Sequence, residues 1–206
     1  MVTHITIGID PSINSSGVCI IFHHNDEKNE EKYFIIKPNK LTKTEREAVL
    51  NIDNFEYVLY QKEDLKQFKE INHIQEQHKT QNIINAAQKI EDIIYNQTKD
   101  LNVPVIIVQE GISYGSSIRT KSVFDLAGLN YIIRDKLFNK AKYTMYICPP
   151  SNIKKYATGN GNCKKEMIIE MFKTIHKDIN IPKIDDIADA YFMACMAHTF
   201  WLNTSS

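Results

Sequence analysis

The sequence predicts an α/β protein, a sheet of five strands with helices on its faces. Three observations predict it. Residues 5–12 (ITIGIDPS) alternate apolar with small or polar side chains and deliver a carboxylate, Asp10, just before Pro11. Residues 103–108 form an apolar run followed by Gln109 and a second carboxylate, Glu110, and such a run marks a strand buried on both faces. Between and after the strands, apolar residues recur at helical spacing.

Strand one stops where Pro11 removes a ladder donor. Asn14, Ser15, Ser16 and Gly17 supply turn chemistry, and residues 18–22 (VCIIF) return as the second strand. The charged stretch 23–32 reads as a hairpin tip before a third strand at 33–37. His23 and His24 fall on that tip with no second cluster beside them, so they read as loop residues rather than metal ligands. Residues 38–64 fit no single period; 55–60 (FEYVLY) has strand composition in polar surroundings and reads as part of an insertion.

From 65 to 101 the apolar residues Leu65, Phe68, Ile71, Ile74, Ile83, Ala87, Ile90 and Ile94 follow a helical period, and the polar run 75–79 is either exposed or a break. The strand 103–110 and a Gly/Ser turn precede an amphipathic helix over 122–138. Inside it, Gly128 costs about 1 kcal/mol relative to Ala, a cost explained if a partner helix approaches there or if the helix packs closely on its own sheet. A strand at 143–147, a short helix at 151–156 and a polar loop at 158–162 come next. Helices at 164–176 and 185–201 end the chain, the last with Ile187, Ala190, Ala194, Ala197 and Trp201 inward.

A chain of 206 residues is one domain with a real core by default. Cys19, Cys148, Cys163 and Cys195 lack zinc-type spacing and read as reduced thiols. With no secretory segment at the start and no membrane-length apolar run, a cytoplasmic protein is expected. The net charge is zero, yet residues 111–177 hold twelve Lys/Arg against four Asp/Glu, a net of +8. A basic segment beside clustered acids is what a metal-dependent enzyme on a polyanion needs. An ordinary Lys-rich surface would produce the same count.

Asp10 and Glu110 lie side by side if their strands are neighbours, and Asp186 and Asp189 share a helix face. Three elements then aim carboxylates at one point, a hard oxygen site for Mg²⁺ or Mn²⁺. Acids in a first helical turn also suit the positive end of the helix dipole, and Asp185 is a natural N-cap. Spacing alone leaves Asp185 and Asp186 equally placed as ligands, since Asp185 and Asp189 are one turn apart.

GIDPS and SGV, then VQEG at a strand end, then Asn152 to Lys155, Thr158 to Gly161 and Lys165, then DIADA, together resemble the RuvC family of Holliday-junction resolvases. The resemblance spans nearly the whole chain in the family's order. It implies an RNase H-like (RuvC-like) fold, a mixed five-stranded sheet flanked by helices, over residues 1–206 as a single nuclease domain. It assigns the acidic tetrad to Asp10, Glu110, Asp186 and Asp189, leaves Asp185 as the cap, and makes Lys154 and Lys165 the basic residues at the scissile phosphate. The stretch between Pro38 and Val103 exceeds the family's spacing, which places an insertion or extension within 38–80 and marks a divergent member, nearer the phage type.

The resemblance further implies a homodimer that binds a four-way DNA junction and makes paired symmetric nicks with two Mg²⁺ per site, Mn²⁺ substituting. Tyr114, four residues after Glu110, lies near, though not at the spacing of, a family aromatic that opens or stacks at the junction centre; its other reading is a ring covering the edge of the core. Arg119, Lys121, Lys155 and Lys164 of the basic segment, and Asn160 of the polar loop, are further candidate DNA contacts, and that loop offers backbone N–H groups to phosphate. The rivals are another RNase H-like nuclease on less specific branched DNA or RNA–DNA hybrids, a silent DNA-binding module, and an actin-like ATPase or sugar kinase. The last needs two such domains, for which the chain is too short.

Overall fold

Strands β1 (Val2–Asp10) and β5 (Val105–Glu110) pair in parallel, with Ile9 opposite Gln109, so the two predicted carboxylates leave the sheet side by side. The computed structural model describes residues 1–25, 28–49, 52–68, 72–112, 122–177, 179 and 181–204. Antiparallel to β1 runs β2 (Ser16–His24), followed by β3 (Glu30–Pro38), and β6 (Thr144–Cys148) lies parallel outside β5.

The sheet has six strands rather than five. Phe55–Tyr60 forms β4, parallel to β3, in the order β4-β3-β2-β1-β5-β6. Its Phe55, Tyr57 and Tyr60 are buried while Glu56 and Leu59 are exposed, the half-covered pattern of an edge strand. The segment 38–80 contains this edge strand, a short helix α1 (Lys43–Val49), a 3₁₀ turn (Leu65–Phe68) and the start of α2 (Asn72–Thr98). The polar run 75–79 lies inside α2 without breaking it.

Two cores sit on the two faces. Ile5, Ile7 and Ile9 of β1, Val18, Ile20 and Phe22 of β2 and Ile107 of β5 pack with α2 and with α3 (Ser122–Arg134), which continues into a π turn, Asp135–Lys140. The opposite face, with Cys19, Ile21, Ile106 and Val108, is covered by α4 (Pro150–Thr158), α5 (Lys165–Ile175) and α6 (Ile184–Thr204). Because side chains alternate along a strand, His4, Thr6, Gly8 and Asp10 form one row beneath α6. β2 extends past the predicted tip, so His23 is a buried strand residue next to His4 and His198, not a loop residue.

Two glycines set how close α6 lies. A Cβ on Gly8 would stand 1.8 Å from the Ala190 carbonyl oxygen, and one on Gly17 would stand 2.2 Å from that of Asp186. Gly128 has no such role: a Cβ there would meet Ile83 Cδ1 of α2 at 3.7 Å, ordinary contact within the same chain. Within the chain, Gly128 thus faces α2 at ordinary contact distance. All four cysteines are free, and no helix among the described residues is long and apolar enough to cross a membrane.

Candidate active site

Asp10 ends β1 at 8% exposure, with the Glu110 carboxyl near enough to act on its charge. Over them, the first two turns of α6 bring Asp186, 7% exposed, and Asp189. The Ser15 hydroxyl donates to Asp186 Oδ2 at 2.6 Å. Lys165, at the start of α5, places Nζ 2.9 Å from Asp185 Oδ2 and 3.8 Å from Asp189 Oδ2.

The electrostatics are those of carboxylates crowded without enough positive charge. Burial, then the charges of Glu110, Asp189 and Asp186, hold the Asp10 carboxyl well above its ordinary range. Burial pushes Asp189 up to about 7, against the pull of Lys165. Burial also raises Asp186 and Glu110; the Ser15 hydrogen bond opposes it at Asp186, and Asp10, Lys165 and Lys154 oppose it at Glu110. Lys165 keeps its proton more tightly than a free lysine: burial acts against it, but the hydrogen bond to Asp185 and the charges of Asp189, Asp185 and Asp10 outweigh that. Four carboxylates with raised affinity for protons, Asp10 and Asp186 buried and Glu110 and Asp189 half-buried, are a donor set that a hard divalent cation fits.

The structure separates Asp185 from Asp186. α6 begins at Ile184, after Lys183 in a left-handed conformation (φ 66°), so Asp185 lies in the first turn and is not the N-cap. Its carboxylate pairs with Lys165, while Asp186 turns inward to Ser15. Against the cost of burial, Lys165 holds Asp185 below the usual carboxylate range.

Other predicted residues divide. Lys154 is half-buried on α4, close enough to act on the Glu110 charge. Lys155, Asn160 and Lys164 are exposed. Three of the loop amides expected to meet phosphate are already engaged: Gly159 N–H donates to Lys155 O, Asn160 N–H to Thr158 Oγ1 and Asn162 N–H to Asn160 Oδ1. Tyr114, Arg119 and Lys121 lie outside the described residues.

Sequence reasoning missed several supports. Ser15 was only a turn residue until its hydroxyl met Asp186. Tyr57 and Tyr60 of β4 donate to the Pro182 and Ile13 carbonyl oxygens, each at 3.2 Å. They tie the edge strand β4 to the entry of α6 and to the β1–β2 loop that carries Ser15. The alternation of FEYVLY was the available signal, but the carbonyls it reaches are set by tertiary structure.

A mixed sheet with carboxylates at the ends of two adjacent central strands and on a helix across them defines an RNase H-like fold. Among solved structures the chain has the fold of RuvC. It is similar to Thermus thermophilus RuvC (14% identity, TM-score 0.55) and to T. thermophilus RuvC in complex with a Holliday junction substrate (15%, 0.55), each match covering 98% of this chain and 96% of that one. The yeast mitochondrial Holliday junction resolvase Ydc2 matches at 14% identity and TM-score 0.49, over 91% of this chain and 75% of that one. No family model and no curated protein sequence matches.

Proposed function

We propose that this chain is a metal-dependent endonuclease that resolves four-way DNA junctions by paired symmetric nicks. The reading is carried by the convergence of Asp10, Glu110, Asp186 and Asp189 with Lys165 on a fold shared with RuvC. Residues 1–206 act as one nuclease domain, with 38–80 as an addition that buttresses the site.

Asp10 and Glu110, with Asp186 and Asp189 opposite, would hold two Mg²⁺ (or Mn²⁺). Bound there, the ions supply positive charge that activates water and stabilises the leaving 3′ oxygen. The chain's own residues do the rest. Ser15 fixes the Asp186 rotamer through one hydrogen bond. Lys165 exchanges its Asp185 and Asp189 partners for the scissile phosphate, supplying charge where the transition state gains it. Lys154 adds positive potential beside Glu110. Lys155, Lys164, Asn160, Arg119 and Lys121 are assigned to DNA backbone contacts and Tyr114 to stacking at the opened junction centre.

Two symmetric nicks need two sites, hence a homodimer. An exposed stripe supports one: Phe124, Tyr131 and Phe138, seven residues apart along α3 and its π turn, are 80%, 58% and 57% exposed. Sedimentation of the wild type and of Tyr131→Glu tests this, with a dimer expected only for the former.

The deciding experiment is cleavage of a mobile four-way junction with Mg²⁺, mapping the nicks, beside linear duplex, a flap and an RNA–DNA hybrid. Symmetric junction nicks are expected. Equal cutting of the flap or hybrid would indicate a less specific nuclease, and binding without cleavage a silent module.

A further inference from the structure

The row beneath α6 has a second polar cluster at its far end. His4 of β1, His23 of β2 and His198 of α6 converge there, one ring nitrogen from each lying within 4.8 Å of the other two. His4 and His23 are 6% exposed; His198 is half-buried and gives the cluster access to solvent. The three rings lie nearly parallel, His23 being 4.2 Å from each of the other two centroids. His4 is six residues from Asp10 along β1, about 20 Å at strand rise, so the cluster is separate from the acids.

The hydrogen bonds fix what the rings present. The Thr3 hydroxyl donates its single proton to the His23 carbonyl oxygen at 3.1 Å, so at 2.9 Å it accepts the His4 Nδ1–H. His4 Nε2 then accepts the His198 Nδ1–H at 2.9 Å, and a shift of the His198 proton to Nε2 turns both facing nitrogens into lone pairs for one cation. Thr6 Oγ1 lies 2.8 Å from His23 Nε2. Ligating imidazoles are oriented by such partners on their other nitrogen. Burial, then neighbouring His198 at His4 and His4 at His23, pulls these rings down to about 4 and about 3, leaving them neutral near pH 7 as ligation requires. Three aliphatic side chains would fill the same core without desolvating ring nitrogens.

We propose that His4, His23 and His198 form a second metal site, for a borderline transition cation of the Zn²⁺ class, which ties β1 and β2 to the C-terminal half of α6. An all-imidazole donor set suits Zn²⁺ and its neighbours and not Mg²⁺. Zn–N bonds of 2.0–2.1 Å set ligand atoms about 3.3 Å apart. The His4–His198 pair is already within that spacing, and the third nitrogen closes in by ring rotation. Water takes the remaining position on the open side. The site does not depend on the nuclease reading.

The only tryptophan, Trp201, stacks on His4 with centroids 5.3 Å apart and reports on the site. The test is titration of the full, metal-stripped chain with Co²⁺ in excess Mg²⁺, following visible ligand-field absorption and Trp201 fluorescence. One equivalent of Co²⁺ is expected to give tetrahedral-type absorption and quench Trp201, and Zn²⁺ to displace it and raise the Tm. His198→Gln, a half-buried and foldable change, is expected to weaken uptake about tenfold or more, as His23→Ala should, while Asp189→Asn keeps both signals. No uptake by the wild type overturns the site, as does uptake undiminished in folded His198→Gln. So does a near-ultraviolet thiolate band, which would assign the metal to Cys195, or loss of the signal in Asp189→Asn, which would assign it to the acids.

Discussion

The carbonyl oxygen of Ala190 lies directly over the α-carbon of Gly8, so close that a methyl group there would stand 1.8 Å from it. That contact sets the height of α6 above β1 and so whether Asp186 and Asp189 reach Asp10. Both atoms in conflict belong to backbone, and neither side can yield by a rotamer change. Gly8→Ala is therefore expected to lift or shift α6, costing about 1–3 kcal/mol as an overpacking change, and to lower nicking by more than the fraction unfolded. Urea denaturation and single-turnover cleavage of the same sample check this.

Asp186 and Asp185 should behave differently. Asp186→Asn removes an inward carboxylate and is expected to abolish nicking while junction binding survives, since binding rests on phosphate contacts. Asp10→Asn and Glu110→Gln should do the same. Asp185→Asn releases Lys165 from its closest partner and should leave substantial cleavage. Full activity in Asp186→Asn with loss in Asp185→Asn would reverse the assignment.

Lys165→Ala should lower the single-turnover cleavage rate by about 100-fold or more, the scale of losing one transition-state donor, with a small change in junction affinity. An affinity loss at unchanged rate under saturating enzyme would make Lys165 a positioning contact instead.

The hydroxyls of Tyr57 and Tyr60 act through the segments they hold. Tyr57→Phe and Tyr60→Phe should each cost about 1 kcal/mol of stability and reduce cleavage at limiting Mg²⁺ more than at saturating Mg²⁺. Activity profiles that superimpose on the wild type across Mg²⁺ concentration would confine β4 to sheet stability.

The metal-free protein should be sensitive to base at the acid cluster. Asp189, raised to about 7, binds its proton more tightly when folded than when unfolded. Its stabilising contribution is full below the ordinary carboxylate pKa and is lost as pH rises through about 7. Asp189→Asn should therefore gain in Tm on the wild type between about pH 5 and about pH 8, and Mg²⁺ should reverse the gain at the upper end. A constant difference in Tm across that range would contradict the raised proton affinity.

The sequence by itself determined the central strands and their terminal acids. Burial on both faces makes β5 an apolar run, β1 alternates Ile with small or polar residues, and a carboxylate at the end of either pattern stands out. It also determined that Asp186 and Asp189 share a helix face, because three residues make nearly one turn. Tertiary structure decided which of Asp185 and Asp186 turns inward. Adjacent helical residues point about 100° apart, and the rotation of α6 follows from its start at Ile184 and its contacts with Gly8 and Gly17. It decided that Phe55–Tyr60 joins the sheet, since an isolated alternating stretch does not show whether β3 has a free edge to receive it. And it decided the histidine cluster: the register that sets His4 opposite His23, and the packing of α6 over β1, join residues nearly the whole chain apart, contacts that no local period encodes.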